Sequence, residues 1–202
     1  MLAERITFSR VESGAKMHRM PAVPSIPTPR FELVSMSLPF MEALARRDLT
    51  AAEHLIGASV PTHMPDDLEH FLEFRIADLS VDPSAQPWLG RAIVLDDPRA
   101  GRRVIGSVGF HSPPDKTGQV EVGYRIEPEY RRQGVATEVV RALFEWAWRE
   151  HGVTRFRAST APDNLASQAV LARFGFVQTG TQMDEFDGEE LVFEREDWSP
   201  PR

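Results

Sequence analysis

The sequence predicts a single α/β domain behind a proline-rich segment, and three observations support this fold class. The chain has 202 residues, of which 42% are hydrophobic and 26% charged, as in ordinary globular domains. Apolar residues recur at helical spacing up to about residue 80, and strand-like patterns begin at residue 88. Strands and helices alternate only in the second half, which indicates a mixed sheet with helices on both faces.

The first 30 residues differ from the rest of the chain. The stretch MPAVPSIPTPR (20–30) holds four prolines in eleven residues, and proline cannot join the interior of a sheet. We therefore interpret residues 1–30 as a tail or arm, residues 31–197 as the domain and residues 198–202 as a C-terminal tail. The arm could instead pack on a partner subunit, and a true start at Met17 or Met20 would shorten it.

The first half of the domain is predicted to contain one strand followed by three helices. The strand spans residues 31–37, and the helices span 38–48, 51–58 and 68–79. Short polar side chains that cap helices precede the second and third helices: Asp48 or Thr50, and Asp66 or Asp67.

The second half is predicted to be richer in strands. Single strands span residues 88–97, 102–112, 119–128 and 154–160, and a closing hairpin spans 176–183 and 188–196. Helices span residues 134–152, ending at the glycine Gly152, and 164–175, opened by Asp163 or Asn164.

Composition excludes several functional classes. The chain has no cysteine, so disulfides, thiolate metal sites and a cysteine nucleophile are excluded. The formal net charge of -7 disfavours nucleic acid as a partner. No apolar run approaches the ~18 residues of a membrane span, and no signal-peptide core is seen, so we expect a cytoplasmic protein away from membranes. His54, His63 and His70 are not spaced with acids as metal ligands, so we expect no metal.

The segment VEVGYRIEPEYRRQGVAT (120–137) predicts an anion site where a strand runs through a loop into a long helix. The first turn of a helix leaves N–H groups unpaired at its positive end, and Gly134 lets a phosphate approach the backbone. Arg131 and Arg132 add positive charge there. The segment is neither a nucleoside-triphosphate loop nor a dinucleotide fingerprint. An arginine-capped helix start with a turn glycine would explain the same residues without a ligand.

Two separated motifs resemble the GNAT superfamily of N-acetyltransferases. Arg131–Ala136 (RRQGVA) resembles the R/Q-x-x-G-x-G/A signature, and Asn164-x-x-Ser167 with Arg173–Phe176 (RFGF) resembles the later helix and its ending. The similarity covers about residues 31–196 and is closest to the RimJ/RimL type of ribosomal-protein N-terminal acetyltransferases. It implies a mostly antiparallel sheet of about seven strands, acetyl-CoA as co-substrate and direct transfer of the acetyl group to a primary amine.

The resemblance also implies which residues hold acetyl-CoA. In that family the strands corresponding to 120–126 and 155–160 splay apart, and pantetheine pairs with the first of them. Backbone contacts are therefore expected from Tyr124, Arg125 and Ile126. Phosphate contacts are expected from a run of seven residues: Arg131, Arg132, Gln133, Gly134, Val135, Ala136 and Thr137. Asn164 is expected either to cap its helix or to bind pantetheine.

Glu121 and Ser167 are the candidate catalytic residues. Glu121 is the candidate general base, directly or through water; alternatively, it pairs with Arg155 or Arg157. Much of the superfamily uses a tyrosine as general acid at the position that is Leu171 here, so we place Ser167, one turn earlier, near the sulfur. Ser167 could instead serve only helix packing.

The acceptor is the least readable part of the sequence. A protein N-terminus or a small amine fits the resemblance, and an acidic closing segment (184–197) would favour a cationic amine, unless it is only a solvated face. Lone His111 and loop Tyr130 are interpreted as structural. The alternative function is a non-catalytic acyl-CoA-binding module, and a homodimer is possible.

Overall fold

In the computed structural model, residues 23–184, 186 and 188–201 are described, and they form one mixed sheet flanked by helices. Its strands are β1 (Ile26–Pro27), β2 (Phe31–Ser35), β3 (Arg91–Asp97), β4 (Gly101–Phe110), β5 (Gln119–Ile126), β6 (Arg155–Thr160), β7 (Val177–Asp184) and β8 (Gly188–Arg195). The helices are α1 (Leu38–Ala45), α2 (Leu49–Ile56), α3 (Met64–Asp67), α4 (Glu69–Val81), α5 (Val135–His151) and α6 (Leu165–Arg173).

The strand order is β1-β2-β3-β4-β5-β6-β8-β7, and neighbouring strands are antiparallel except for the parallel pair β5 and β6. That pair is short, since it runs only from Gln119↔Arg155 to Glu121↔Arg157. Beyond Glu121, β5 continues beside β4 while β6 continues beside β8. The predicted mostly antiparallel mixed sheet is confirmed, with eight strands where about seven were expected.

Helices cover both faces of the sheet, as predicted. On one face α5 buries Val139, Leu143 and Phe144, and the ring of Phe144 stacks on Phe156 of β6 with centroids 3.9 Å apart. On the other face a second core gathers the apolar sides of α1, α2 and α4, including Phe40 and Leu72. In the part of the chain that is described, no helix is both long and apolar enough to cross a membrane.

The chain around residue 30 lies against the domain. Ile26 pairs with Leu33 across the β1–β2 ladder, at an edge of the sheet where a proline such as Pro27 is tolerated. The guanidinium of Arg91 is buried and donates to the Pro24 carbonyl over 2.9 Å. Residues 23–30 of the predicted tail or arm thus pack on the sheet, and residues 1–22 lie outside the described part.

One local prediction is wrong. Asp66 and Asp67 do not cap α4, because they belong to α3, which begins at Met64 with Pro65 in its first turn; α4 begins after Leu68 with no side-chain cap. Trp198, placed by sequence in the C-terminal tail, is buried and packs edge-on against Phe144 with centroids 5.6 Å apart. Its apolar area fixes the end of the chain to the core of the domain.

Candidate active site

The candidate active site surrounds the gap that opens where β5 and β6 part after Glu121. From Val122 to Ile126, β5 is paired on one side only, with β4. Backbone groups at such an edge need a partner, and an extended ligand can supply one as if it were an added strand. The resemblance predicts this splay, and the register shows it.

A cavity of about 870 Å³ lies between the C-terminal half of β5, the start of α5 and the exposed side of α6. Every residue predicted to bind acetyl-CoA lines this cavity except Gln133. The amide of Gln133 donates to the Glu129 carbonyl over 2.7 Å within the loop. The phosphate contact expected of Gln133 stays a prediction, while its side-chain amide shapes the loop that borders the cavity.

The start of α5 has the geometry of an anion cradle. Gly134 caps the helix at φ 77, and Arg132 also lies in the left-handed region at φ 60. The N–H groups of Val135, Ala136 and Thr137 lie in the first turn, where a helix has no internal acceptors for them. Alternating left-handed residues and an open helix start concentrate unpaired N–H groups, which is the arrangement that phosphate groups select.

The segment before β2 binds the loop and first turn of α5 from outside the cavity, which the sequence analysis did not predict. Arg30 Nε lies 2.6 Å from Glu138 Oε2, and Arg30 Nη1 donates to the Gln133 carbonyl over 3.1 Å. Thr28 adds a hydrogen bond of 2.7 Å to the same Glu138 carboxylate. Burial alone would raise the pKa of Glu138, but the hydrogen bonds from Thr28 and Arg30 hold it below its ordinary value. Arg30 does not line the cavity, so its place is that of a support.

The hydroxyl groups of Tyr124 and Ser167 meet across the cavity, 2.9 Å apart. Asn164 caps α6, its Oδ1 accepting from the Ser167 N–H over 3.1 Å, and thereby fixes the turn that carries Ser167. Burial raises the pKa of Tyr124, and its hydrogen bond with Ser167 opposes that shift. Leu171, at the position of the family's tyrosine, is buried in the core. The tyrosine hydroxyl at this cavity therefore comes from Tyr124 on β5, because α6 carries Leu171 where the family has its tyrosine.

A second cavity of about 750 Å³ lies on the opposite side of β5, and Tyr124 and Arg125 line both cavities. Three glycines form its floor: Gly90 directly before β3, Gly109 on β4 and Gly123 on β5. A Cβ on Gly109 would lie 2.7 Å from the Gly90 Cα, and one on Gly123 would lie 2.8 Å from His111 Nε2. The floor therefore admits no side chain at Gly109 or Gly123, because Gly90 and the imidazole of His111 pack directly on them.

Glu121 lies beside this second cavity and is held by neighbours. Its carboxylate accepts from Ser159 Oγ over 2.7 Å and lies 3.5 Å from Arg157 Nε. Of the two arginines that could pair with it, Arg157 does so, while Arg155 pairs with Glu196 at 2.8 Å. The pair with Arg157 does not prevent Glu121 from taking part in base catalysis, because Glu121 Oε1 also lies 4.0 Å from His111 Nδ1 and can act through that ring.

His111 lines the second cavity, where its side chain is 54% exposed. The protein atoms packed around the ring nevertheless desolvate it, and this is the largest cause that lowers the pKa of His111 below its ordinary 6.5. Arg75 and Arg157 lower it further, and Glu121 and Glu190 oppose them. A ring held neutral at neutral pH can accept a proton, so His111 is a functional candidate that the sequence analysis treated as structural.

The acids near the second cavity come mostly from α3 and α4. The cavity is lined by Asp66, Asp67, Glu69 and, from the closing hairpin, Asp184. Glu194 of that hairpin instead accepts from Gln119 over 3.2 Å. The predicted Glu185 and Asp187 lie outside the described residues. Asp184 of the expected acidic segment thus lines the cavity, and the other lining acids come from α3 and α4, which the sequence analysis did not predict.

His63 joins two acids that are remote from one another in sequence. Its Nε2 lies 2.8 Å from Glu127 Oε2 and 3.6 Å from Asp67 Oδ2. Asp67 is also paired with Arg125 at 2.6 Å, so His63, the two acids and Arg125 form one network. The hydrogen bond to Glu127 is the largest cause that raises the pKa of His63. This network ties α3, beside the second cavity, to the loop that leads to the anion cradle.

Comparison with known proteins identifies the family. The model of the acetyltransferase (GNAT) domain matches residues 40–177, more than half of the chain. The chain belongs to the GNAT acetyltransferase family. It is 27% identical over 155 residues to the uncharacterized N-acetyltransferase YjdG of Bacillus subtilis, a match that covers 74% of this chain and 88% of YjdG.

Solved structures of GNAT proteins share the fold. The ribosomal-protein-S5-alanine acetyltransferase of Vibrio fischeri superposes with a TM-score of 0.57 and 18% identity, covering 88% of this chain and 100% of that one. RimL, a ribosomal L7/L12 alpha-N-protein acetyltransferase in complex with coenzyme A, superposes with a TM-score of 0.57 and 15% identity, covering 86% and 98%. At these identities the likeness to the solved structures shows the fold only. The family match shows that the protein is an acetyltransferase that depends on acetyl-CoA.

Proposed function

We propose that this GNAT protein acetylates a primary amine in a ternary complex, with acetyl-CoA in the first cavity and the amine in the second. The single observation that carries this proposal is that Tyr124 and Arg125 line both cavities. Two ligands bound on opposite sides of β5 would meet there, and direct transfer needs their reacting atoms about 3–3.5 Å apart.

Acetyl-CoA fits the first cavity by the chemistry of its walls. The unpaired edge of β5 at Tyr124, Arg125 and Ile126 would pair with the pantetheine amides. The phosphates would rest on the α5 cradle (Gly134, Val135, Ala136, Thr137), with charge from Arg131 and Arg132. Asn164 lines the same cavity from the start of α6. Arg131 also donates to the Ile126 carbonyl over 2.8 Å, which holds the strand end beside the cradle.

The amine must lose a proton, because ordinary amines are charged at neutral pH. We assign that proton to the His111–Glu121 pair. His111 faces the second cavity and its lowered pKa keeps it neutral, and Glu121 lies behind it, where a carboxylate stabilises the imidazolium. Glu121 thus keeps its predicted place in base catalysis, acting through His111 or a water.

When bound, acetyl-CoA supplies a thioester whose carbonyl carbon gains the amine nitrogen as its C–S bond breaks. The free N–H groups of β5 beyond Glu121 would stabilise the charge that develops on the carbonyl oxygen. The Tyr124 hydroxyl, held by Ser167, would donate a proton to the departing sulfur, and Ser167 would relay its replacement. Ser167 keeps its predicted place near the sulfur, and Tyr124 takes the role of the tyrosine that Leu171 replaces.

The charge of the second cavity favours a cationic acceptor. Four acids line it (Asp66, Asp67, Glu69, Asp184) against the two arginines Arg75 and Arg125. A protein N-terminus, as named for the alpha-N-protein acetyltransferase RimL of similar fold, and a small amine both carry the required charge.

Thermal melts with and without acetyl-CoA, combined with thiol release on a panel of amines, test the proposal. The panel contains a peptide N-terminus, a polyamine, an amino sugar and free amino acids. We expect acetyl-CoA to raise the melting temperature by mass action and at least one amine to release thiol. Stabilisation without turnover on a broad panel would instead support the acyl-CoA-binding module. No stabilisation at high acetyl-CoA would overturn the assignment of the cradle.

A further inference from the structure

Three aromatic rings meet at one wall of the second cavity. His70 and Phe74 lie on α4, and Phe186 lies at the tip of the β7–β8 hairpin. The ring of Phe186 is 4.6 Å from that of His70 and 5.8 Å, edge-on, from that of Phe74, measured between centroids. All three line the second cavity, which His111 lines as well.

These rings keep much of their surface exposed although they touch one another. Phe74 is 50% exposed and Phe186 is 53% exposed. Among the large apolar side chains that are exposed in the described residues, these are the two phenylalanines, and both belong to this cavity. Packing of the hairpin on α4 would explain their contact but not the apolar surface that still faces the cavity, which is typical of a binding site.

We propose that His70, Phe74 and Phe186 form a subsite for a flat apolar group carried beside the acceptor amine. The inference rests on the proposed function and narrows its acceptor to an amine with an aromatic ring, such as an arylalkylamine or a peptide with an aromatic N-terminal residue. Aromatic rings pair edge-on or offset with a planar partner, and the exposed faces and edges here offer both arrangements.

The neighbouring charges favour an acceptor with an ammonium group. Glu69 and Asp184 line the same cavity as the rings, and their negative charge attracts a cation. His111, the proposed proton acceptor, and the glycines Gly109 and Gly123 line the same cavity as the three rings. An acceptor that carries both an apolar ring and an amine therefore matches the chemistry of the residues that line this cavity.

The test compares amines that differ only in the ring. 2-Phenylethylamine, 2-cyclohexylethylamine and n-hexylamine carry the same charge and similar apolar area. Their affinities are measured by calorimetry on the full chain with coenzyme A bound, and kcat/KM is measured with acetyl-CoA. We expect the affinity and kcat/KM for 2-phenylethylamine to exceed those for the other two amines roughly three- to tenfold, which is the contribution of one aromatic pair.

Variants separate the subsite from general loss of function. Phe74→Leu replaces the aromatic ring by an aliphatic side chain of similar volume, so the ratio of the affinities for 2-phenylethylamine and n-hexylamine should fall to about one. Val81→Ala, at an 87% exposed position on the same helix and outside the cavity lining, is the matched control and should keep the preference.

Equal affinity of the three amines in the unchanged protein, or an unchanged preference in Phe74→Leu, would overturn the subsite. Both results are readable from binding alone. Failure of the proposed function is a separate result: it shows as no stabilisation by acetyl-CoA, or as no thiol release with any amine of the broader panel.

Discussion

Arg30 Nε lies 2.6 Å from Glu138 Oε2, so the segment before β2 is tied to the first turn of α5. The same guanidinium donates to the Gln133 carbonyl next to the cap residue Gly134. The loop that is proposed to bind phosphate therefore depends on a residue that lies outside the cavity.

Replacing Arg30 by glutamine should weaken the binding of acetyl-CoA more than it slows turnover. We expect KM for acetyl-CoA to rise about three- to tenfold with kcat nearly unchanged, because the loop loses its support but no reacting group is altered. The pair is partly exposed, so its loss should reduce stability by no more than about 1 kcal/mol.

The matched control is Arg149→Gln, which removes a pair with Glu145 on the same helix, 3.3 Å apart and far along the chain from the cradle. A rise in KM shared by both variants, or a fall in kcat alone for Arg30→Gln, would contradict a positioning role.

Tyr124→Phe should lower kcat without weakening acetyl-CoA binding. The variant keeps the ring and loses the hydroxyl that lies 2.9 Å from Ser167 Oγ. General acid catalysis contributes about 10²- to 10⁴-fold, and a thiolate leaves readily, so we expect a loss near the lower end, about 10²-fold. Steady-state kinetics and melts with acetyl-CoA measure the two effects separately.

Tyr130→Phe is the control for that change, since Tyr130 also lines the first cavity but its hydroxyl accepts from Arg103 at 3.4 Å. If Tyr124 and Ser167 act as one unit, the double variant Tyr124→Phe with Ser167→Ala should have a kcat only slightly lower than that of Tyr124→Phe alone. Strictly additive losses would argue against the relay.

The proposed base gives a defined pH dependence. Desolvation lowers the pKa of His111 below 6.5, so the neutral ring persists to lower pH and the acid limb of kcat/KM should fall below pH 6.5. Glu121 raises this pKa, so Glu121→Gln should move the limb to still lower pH. Arg157 lowers it, so Arg157→Gln should move the limb upward.

Rate profiles and NMR titration of the His111 ring should give the same midpoint. His111→Gln should remove the acid limb and lower kcat/KM about 10²-fold or more. A limb that survives His111→Gln would assign the proton to another group.

The parts predicted well are those fixed by local chemistry. The 3.6-residue period of α5 and the glycines at its two ends mark this helix from sequence alone, because Gly134 and Gly152 both adopt positive φ. The cradle follows from those same adjacent residues. Asp48 and Asn164 likewise cap the helices that follow them.

The parts missed depend on contacts between distant segments. Tyr124 and Ser167 are separated by 43 residues, and Arg30 and Glu138 by 108, so no spacing in the sequence announces either pair. The His63–Glu127 pair, 64 residues apart, was missed for the same reason. Register decides which side chains share a face, and it becomes visible only when the strands are placed together.

Gly123→Ala should impair catalysis without unfolding the domain. The new Cβ would lie 2.8 Å from His111 Nε2, and the side chain that must yield is the imidazole proposed to accept the proton. We expect kcat/KM to fall about tenfold as the ring is displaced. Gly180→Ala, where a Cβ meets nothing within 4 Å, should leave the rate unchanged. Equal rates for the two variants would place the reaction away from this floor.

The pair of His63 and Glu127 should stabilise the protein in acid rather than in base. The hydrogen bond to Glu127 raises the pKa of His63 above 6.5, despite opposition from desolvation and from Arg125. The stabilisation is therefore complete below pH 6.5 and is lost as the pH rises through the folded-state pKa. Glu127→Gln should remove the largest cause that raises the pKa of His63, so the NMR titration midpoint of His63 should fall. His63 is 53% exposed, so the free energy of unfolding at pH 6 relative to pH 8 should change by less than about 1 kcal/mol.

An unchanged His63 midpoint in Glu127→Gln would show that the two groups are not coupled. The link between α3 and the loop before the cradle would then rest on Asp67 and Arg125 alone.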